Sequence, residues 1–249
     1  VHGATNLIND YFDVRHNVDR PDSPTAQYRE HFLLKGTLTS RQIVLFSLIL
    51  YALAALIAVY FTLLRGLIVP ILAIVGGLAS LFYTADPVKY KHHALGEVSV
   101  FLMWGPLMTL GSCFVVSGTF SRVVPVILVS IPQGLWVALV IFANNMKDIG
   151  YDDEVKVTTL ATLLKREGSI KLFIGLIILI YLISAAEIAA GVIPVWGLIV
   201  FLTLPLVIKL VLLLKKGETV PPDADPRTAQ VGMLFGLLLI VSFVIDKVV

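Results

Sequence analysis

The stretch Asn144-Asn145-Met146-Lys147-Asp148-Ile149-Gly150-Tyr151-Asp152-Asp153-Glu154 places amides and carboxylates directly behind an apolar run, 123–143. Against lipid such a cluster would be strongly unfavourable, so it must face a protein interior or a water-filled cavity. If the helix continues, Asn145, Asp148 and Asp152 fall on one face. Two carboxylates a turn apart, with an amide beside them, are oxygen donors suited to a hard divalent cation. A second set stands near the N-terminus, where Asn6, Asn9 or Asp10, and Asp13 share a helical face. Either set alone reads as a solvated helix end. Two of them, each at the polar end of an apolar run, point to one metal-dependent site.

The elements that position these residues are membrane helices. Hydrophobic residues make up 57% of the chain and charged residues 14%, with a mean hydropathy of +0.91. A soluble domain carries about 25% charged residues, so this is an integral membrane protein. Apolar runs cover 43–64, 66–83, 98–116, 123–143, 172–191, 193–214 and 231–249. Each is near the ~17–25 residues that cross a bilayer as a helix. No long strand-like alternation is present, which argues against a barrel. The expected fold is an all-α polytopic bundle of seven complete transmembrane helices plus the end of another. The chain opens on Val1 inside what reads as the second half of a membrane helix. Residues upstream are therefore expected, and 1–249 is read as a single domain.

Charge sorts the connections into two kinds. The segments 13–42, 84–97, 144–171 and 209–230 hold 16 of the 19 Lys and Arg, and the intervening connections are short and nearly uncharged. An excess of bases in alternate loops places them in the cytoplasm. The acids cluster in the same loops, so the chemistry is expected on the cytoplasmic face of the cell membrane. A net charge of +2 gives no argument for a nucleic-acid partner. The single Cys113 excludes a disulfide within the chain, and the five histidines form no recognisable metal set. Gly pairs and Gly232-x-x-x-Gly236 read as close helix packing. Gly105-Pro106 reads as a kink beside a cavity.

Asn9-Asp10-Tyr11-Phe12-Asp13, with Asp148-x-x-x-Asp152 and Lys156-x-Thr158-Thr159-Leu160-Ala161, resembles the UbiA superfamily of intramembrane prenyltransferases over nearly the whole chain. Asn144-Asn145-x-x-Asp148-Ile149-x-x-Asp152, and Tyr83-Thr84 followed by Leu95-Gly96-Glu97, are similar to its dihydroxynaphthoate (menaquinone) branch. The loop 86–93 departs from that branch, lacking its usual glycines and carrying extra bases. Asn17 stands where other branches carry a third aspartate, with Asp19 two positions on. The resemblance implies nine helices in all and a polyprenyl diphosphate donor. The acceptor would be aromatic or lipophilic, and the cofactor Mg²⁺.

The chemistry implied is ionisation of an allylic diphosphate, followed by attack of an aromatic ring carbon on the carbocation and loss of the ring proton. Carboxylate-held Mg²⁺ would neutralise charge building on the leaving diphosphate. Asp13, Asp148 and Asp152 are the expected ligands, with Asn9 and Asp10 in or beside the shell. Asn9, Asn145, Arg20, Lys89, Lys91 and Lys147 are candidate diphosphate contacts. Tyr83 could stabilise the carbocation through its ring face, and Glu97 could orient or deprotonate the acceptor. The prenyl tail would lie between helices in an apolar cavity open to lipid. The alternatives are prenyl transfer to a glycerol-phosphate lipid precursor and, outside this class, a cation transporter. Carboxylates at helix ends rather than helix centres favour the enzyme.

Overall fold

The computed structural model describes residues 1–28 and 30–249, with Tyr28 described by its backbone only. In chain order the helices are α1 (His2–Arg15), α2 (Pro24–Tyr28), α3 (Ser40–Arg65), α4 (Ile68–Phe82), α5 (Gly96–Leu102), α6 (Met108–Ser117), α7 (Val123–Lys147), α8 (Ile149–Glu154), α9 (Leu160–Ala189), α10 (Leu204–Lys215) and α11 (Ala224–Val248). A π turn, Met103–Leu107, joins α5 to α6, and 3₁₀ turns occupy Tyr90–His92 and Val195–Thr203. Among the described residues, six helical stretches are long and apolar enough to cross a bilayer: Ser40–Arg65, Gly96–Ser117, Val123–Lys147, Leu160–Ala189, Val195–Lys215 and Ala224–Val248. The apolar run 66–83 forms the shorter α4, of 15 residues. The chain is an all-α, polytopic membrane protein.

The chain forms two compact units, Val1–Gly96 with Gly150–Thr159, and Glu97–Ile149 with Leu160–Val249. In the first, α1 packs against α3 and α4. Ser80 of α4 bonds Thr5 of α1 at 2.5 Å and Tyr51 of α3 at 2.6 Å. Thr39 and Gln42 start α3 with reciprocal side-chain to backbone bonds, satisfying two donors that a helix end leaves open. Most of the large apolar residues of α3, from Leu45 to Leu64, remain exposed. A surface of that extent fits a lipid solvent and not water.

The second unit closes around aromatic and branched side chains. Trp136, Leu139, Phe142, Phe173, Ile180 and Phe235 are almost completely enclosed where α7, α9 and α11 meet. Glycine permits the closest approach: a Cβ at Gly134 would stand 2.8 Å from Gly105 Cα and 3.1 Å from the Phe101 carbonyl oxygen. Gly105-Pro106 therefore distorts its helix through a π turn where two backbones touch, rather than beside an open space. A Cβ at Gly232 would meet that of Trp136 at 3.1 Å, in keeping with close packing there. One at Gly76 or Gly77 would meet nothing within 4 Å, so the close packing expected of that pair is not found among the described residues. Inside α9 the helix breaks at Lys165 (φ 55°, ψ 176°).

One expectation about continuity fails. Helix α7 stops at Lys147, and Asp148 (φ −98°, ψ 6°) turns the chain before α8 begins at Ile149. Aspartate competes for backbone bonds and is a poor helix-interior residue. Asn145, Asp148 and Asp152 therefore do not share one uninterrupted helical face.

Candidate active site

On α1 the helical period brings Asn9 and Asp13 together, and Asn9 Nδ2 donates to Asp13 Oδ2 at 2.8 Å. Asp10 and Asp13 are buried, at 4% and 3% exposure, while Asn6 is exposed. A cation meets them from another segment. Lys91 Nζ donates to Asn9 Oδ1 at 2.7 Å and to Asp13 Oδ2 at 2.5 Å. His92 Nε2 lies 3.5 Å from the other carboxylate oxygen of Asp13. That is ion-pair range and too long for a full hydrogen bond, so Oδ1 keeps unfilled acceptor capacity.

Local backbone explains how this loop reaches α1. Lys89 takes left-handed geometry (φ 33°) at the start of the 3₁₀ turn. Lys91 N–H then bonds the Tyr83 carbonyl at 3.1 Å, and Tyr90 Oη bonds the Ala79 carbonyl at 2.6 Å. Ala94 N–H holds the far end through the Thr158 carbonyl at 2.9 Å. The Tyr83 ring stands 5.9 Å from Lys91 Nζ, within cation–π range. Burial pushes the Asp13 carboxyl upward, but the Lys91 charge and the approach of His92 outweigh it and hold it below the usual carboxylate range. Burial depresses His92, with Asp13 opposing.

A turn after α1 adds two residues that sequence reasoning missed. Asn17 takes φ +57°, and the N–H groups of Val18 and Asp19 both bond the Asp13 carbonyl, at 2.8 and 3.1 Å. Asparagine tolerates this conformation better than most residues. The turn carries Asp19 back to Asp10 and His31, whose ligating atoms all lie within 4.8 Å of one another. His31 Nε2 meets Asp19 Oδ2 at 3.1 Å, and Leu34 N–H points at His31 Nδ1 at 3.4 Å. Burial and the neighbouring Asp13 charge raise the Asp19 carboxyl, with Lys91 and His31 opposing. The sequence reading weighed the five histidines as a set of their own; His31 instead joins two aspartates, Asp10 and Asp19. The available signal was Asn17, a turn-tolerant residue two positions before an aspartate.

The remaining basic candidates in this unit have separate partners. Lys89 pairs with Asp86 at 3.3 Å on the surface, and Asp86 also meets His16 at 2.8 Å. Arg20 reaches α8, donating to Glu154 at 2.7 Å and to Tyr151 Oη at 3.3 Å, while Tyr151 Oη donates to the Val18 carbonyl at 2.6 Å. Asp152 lies half-buried in α8, in the same unit.

In the second unit Asn145 Nδ2 donates to Glu97 Oε1 at 2.9 Å. Glu97 is 5% exposed, and its Oε2 has no hydrogen-bond partner among the described residues. Lys147 pairs with Asp225 at the start of α11, at 2.8 Å. Asp148 is half-buried and terminates α7.

Two donor sets could thus receive a cation within the first unit. The Asn9 and Asp13 oxygens already converge on one, the Lys91 ammonium, and an all-oxygen set suits Mg²⁺. Asp10, Asp19 and His31 mix oxygen with imidazole, which Mg²⁺ favours less. The first set fits the ion that the resemblance implies.

The chain is thus a helical membrane protein whose buried carboxylates are met by basic residues of neighbouring loops. Residues 1–239 match the model of the UbiA prenyltransferase family, and the chain belongs to that family. It is 29% identical over 247 residues to UbiA prenyltransferase domain-containing protein 1 of Xenopus tropicalis, covering 98% of this chain and 68% of that one. It is 26% identical over 246 residues to the 1,4-dihydroxy-2-naphthoate octaprenyltransferase of Bacillus subtilis (strain 168), covering 98% and 77%. Among solved structures, one described under digeranylgeranylglyceryl phosphate synthase in membranes shares the fold, with a TM-score of 0.60 and 20% identity over 97% of this chain and 80% of that one.

Proposed function

We propose that this prenyltransferase moves a polyprenyl group from an allylic diphosphate to a ring carbon of an aromatic, quinone-precursor acceptor, with Mg²⁺ as cofactor. Residues 1–249 would act as one catalytic domain in the cell membrane, with its chemistry on the cytoplasmic side. The observation that supports an aromatic acceptor is Glu97. One of its oxygens is fixed by Asn145 at 2.9 Å, and the other is buried with no hydrogen-bond partner among the described residues. A buried acceptor atom is costly unless a donor meets it. A ring hydroxyl is such a donor, and its bond to a carboxylate raises electron density on the ring that attacks the carbocation.

Each residue then has a role. Asn9 and Asp13 supply oxygens for the metal, with Asp10 beside them, and Asp152 and Asp148 are proposed as further ligands. Bound there, Mg²⁺ would neutralise charge as it develops on the leaving diphosphate. Lys91 and Arg20 are the favoured diphosphate contacts, and Lys89 and Lys147 are proposed as further ones. The Tyr83 ring, already facing an ammonium, offers a face to the allylic cation. Glu97 orients the acceptor and receives its hydroxyl proton.

The test is an acceptor screen with labelled short-chain prenyl diphosphate and the purified full chain. Prenylation of a dihydroxynaphthoate, dependent on Mg²⁺, is the expected result. Transfer to a glycerol-phosphate lipid precursor instead would overturn the aromatic reading while keeping the reaction class. Uptake of cations into vesicles without pyrophosphate release would favour a transporter.

A further inference from the structure

Lys91 holds the oxygens that the proposed metal needs. Its ammonium meets Asn9 Oδ1 and Asp13 Oδ2 at 2.7 and 2.5 Å. The Lys91 side chain is 18% exposed and that of Asp13 5%, so the contact is nearly dry. A divalent cation bound to the same two oxygens would sit at contact distance from a second positive charge, and the repulsion would be poorly screened there. The ammonium and the metal therefore exclude one another. The loop backbone is tied at both ends, by Lys91 N–H to Tyr83 and Ala94 N–H to Thr158. The flexible four-carbon stem can still swing while that backbone stays in place.

We propose that Lys91 is an internal counter-ion that changes partners during loading: it neutralises Asp13 before metal arrives, then leaves Asn9 and Asp13 and turns onto the incoming diphosphate. This rests on the metal-assisted reading above. Three consequences follow from the charges. Before loading, Asp13 is spared the cost of a buried, uncompensated carboxylate. Metal alone binds weakly, because it displaces a tethered competitor whose ammonium gains no new partner. Metal and diphosphate together bind well, because the displaced ammonium then meets an anion. Lys91 thus couples the two ligands, and the site becomes competent for ionisation only when both are present. Lys89, held by Asp86 at the surface, lacks this contact with the acidic motif in the structure.

Mn²⁺ binding to the full chain in detergent, followed by the electron paramagnetic resonance of the free ion, tests the exchange. Lys91→Met and Lys91→Gln are expected to bind Mn²⁺ alone roughly fivefold tighter or more than wild type, the low end of ordinary site coupling. Both should gain less Mn²⁺ affinity than wild type when methylene diphosphonate is added. Lys91→Arg, which keeps the charge and can grip a carboxylate with two donors, should bind Mn²⁺ no tighter than wild type. Unchanged or weaker Mn²⁺ affinity in both neutral variants would overturn the exchange and leave Lys91 a structural partner of Asp13. No Mn²⁺ binding by any form, with or without diphosphonate, would overturn the metal reading itself. A measurement on wild-type protein covers poor folding of the variants. Acetylation of Lys91 by acetic anhydride, read by mass spectrometry, should speed up with Mg²⁺ and slow again when methylene diphosphonate is added. A rate that Mg²⁺ does not move would sink the proposal.

Discussion

In the first compact unit Asp10, Asp13, Asp19, Asn9, Lys91, His31 and His92 are gathered on α1, the turn behind it and two loops, and most of the large apolar side chains of α3 are exposed. The second unit encloses Trp136, Phe142, Phe173 and Phe235, and sets Glu97 and Asn145 together at one edge of its apolar interior. The two are stabilised by different physics. Buried charge is tolerated in the first because Asp13 has Lys91 and Asp19 has His31 close by. Cohesion in the second comes from close packing, with glycine where the backbones of Gly105 and Gly134 meet and aromatic rings filling the interior. Chemistry that needs exchangeable ions suits the first, and a fixed hydrogen-bonding edge for an acceptor suits the second.

Removing the central carboxylate of the first unit should have the largest effect. Asp13→Ala is expected to lower turnover by about 10²–10³-fold or more, the range seen when one electrostatic partner of a transition state is lost. The extracted yield and elution profile should stay normal, because the residue serves a polar cluster and not the packed core. Full activity in a well-folded variant would remove Asp13 from the site.

Glu97→Gln probes the edge of the second unit. Glutamine can still accept from Asn145 but no longer offers an anionic oxygen, a difference of about 1.5–3 kcal/mol for a charged hydrogen bond. The expected result is a ten- to hundredfold loss in kcat/KM for the acceptor, with the KM for the diphosphate unchanged. A matching loss in diphosphate affinity would show that Glu97 belongs to donor binding.

Gly134→Ala sharpens the packing half of the comparison. The added methyl would collide with backbone at 2.8 and 3.1 Å, where no side chain can move aside. Overpacking of this kind costs roughly 1–3 kcal/mol, so the melting temperature in detergent should fall. Mn²⁺ binding at low temperature should survive. An unchanged melting temperature would mean that the contact with Gly105 is looser than described.

Thr39→Ala should be the mildest change. It removes the side-chain cap of α3, typically about 1 kcal/mol, and leaves every proposed site residue in place. A small loss of thermal stability with wild-type kinetics is expected. A kinetic defect larger than the stability loss would tie the start of α3 to catalysis.

Much was legible because it is local. Apolar runs mark the helices through length and hydropathy alone, and the four-residue spacing of Asn9 and Asp13 needs only the helical period to become a contact. Family membership was readable for the same reason, since Asn9-Asp10-Tyr11-Phe12-Asp13 and Asp148-x-x-x-Asp152 are short strings. Local reasoning also overreached: it let α7 run on past Lys147, where the helix ends, and so set Asn145 and Asp152 on one face.

Only tertiary structure decided which base meets which acid. Lys89 and Lys91 are equivalent in composition and sit two residues apart, yet the positive φ at Lys89 and the bond from Lys91 N–H to Tyr83 send one to Asp86 and the other to Asp13. Asp19 and His31 joined the cluster through a left-handed Asn17, a single backbone angle that helical periodicity cannot encode. Glu97 found Asn145 across 48 residues of chain. Such pairings depend on where distant segments come to rest, whereas helices depend on neighbours a few residues away; the sequence therefore named the chemistry, and the fold chose the atoms that carry it.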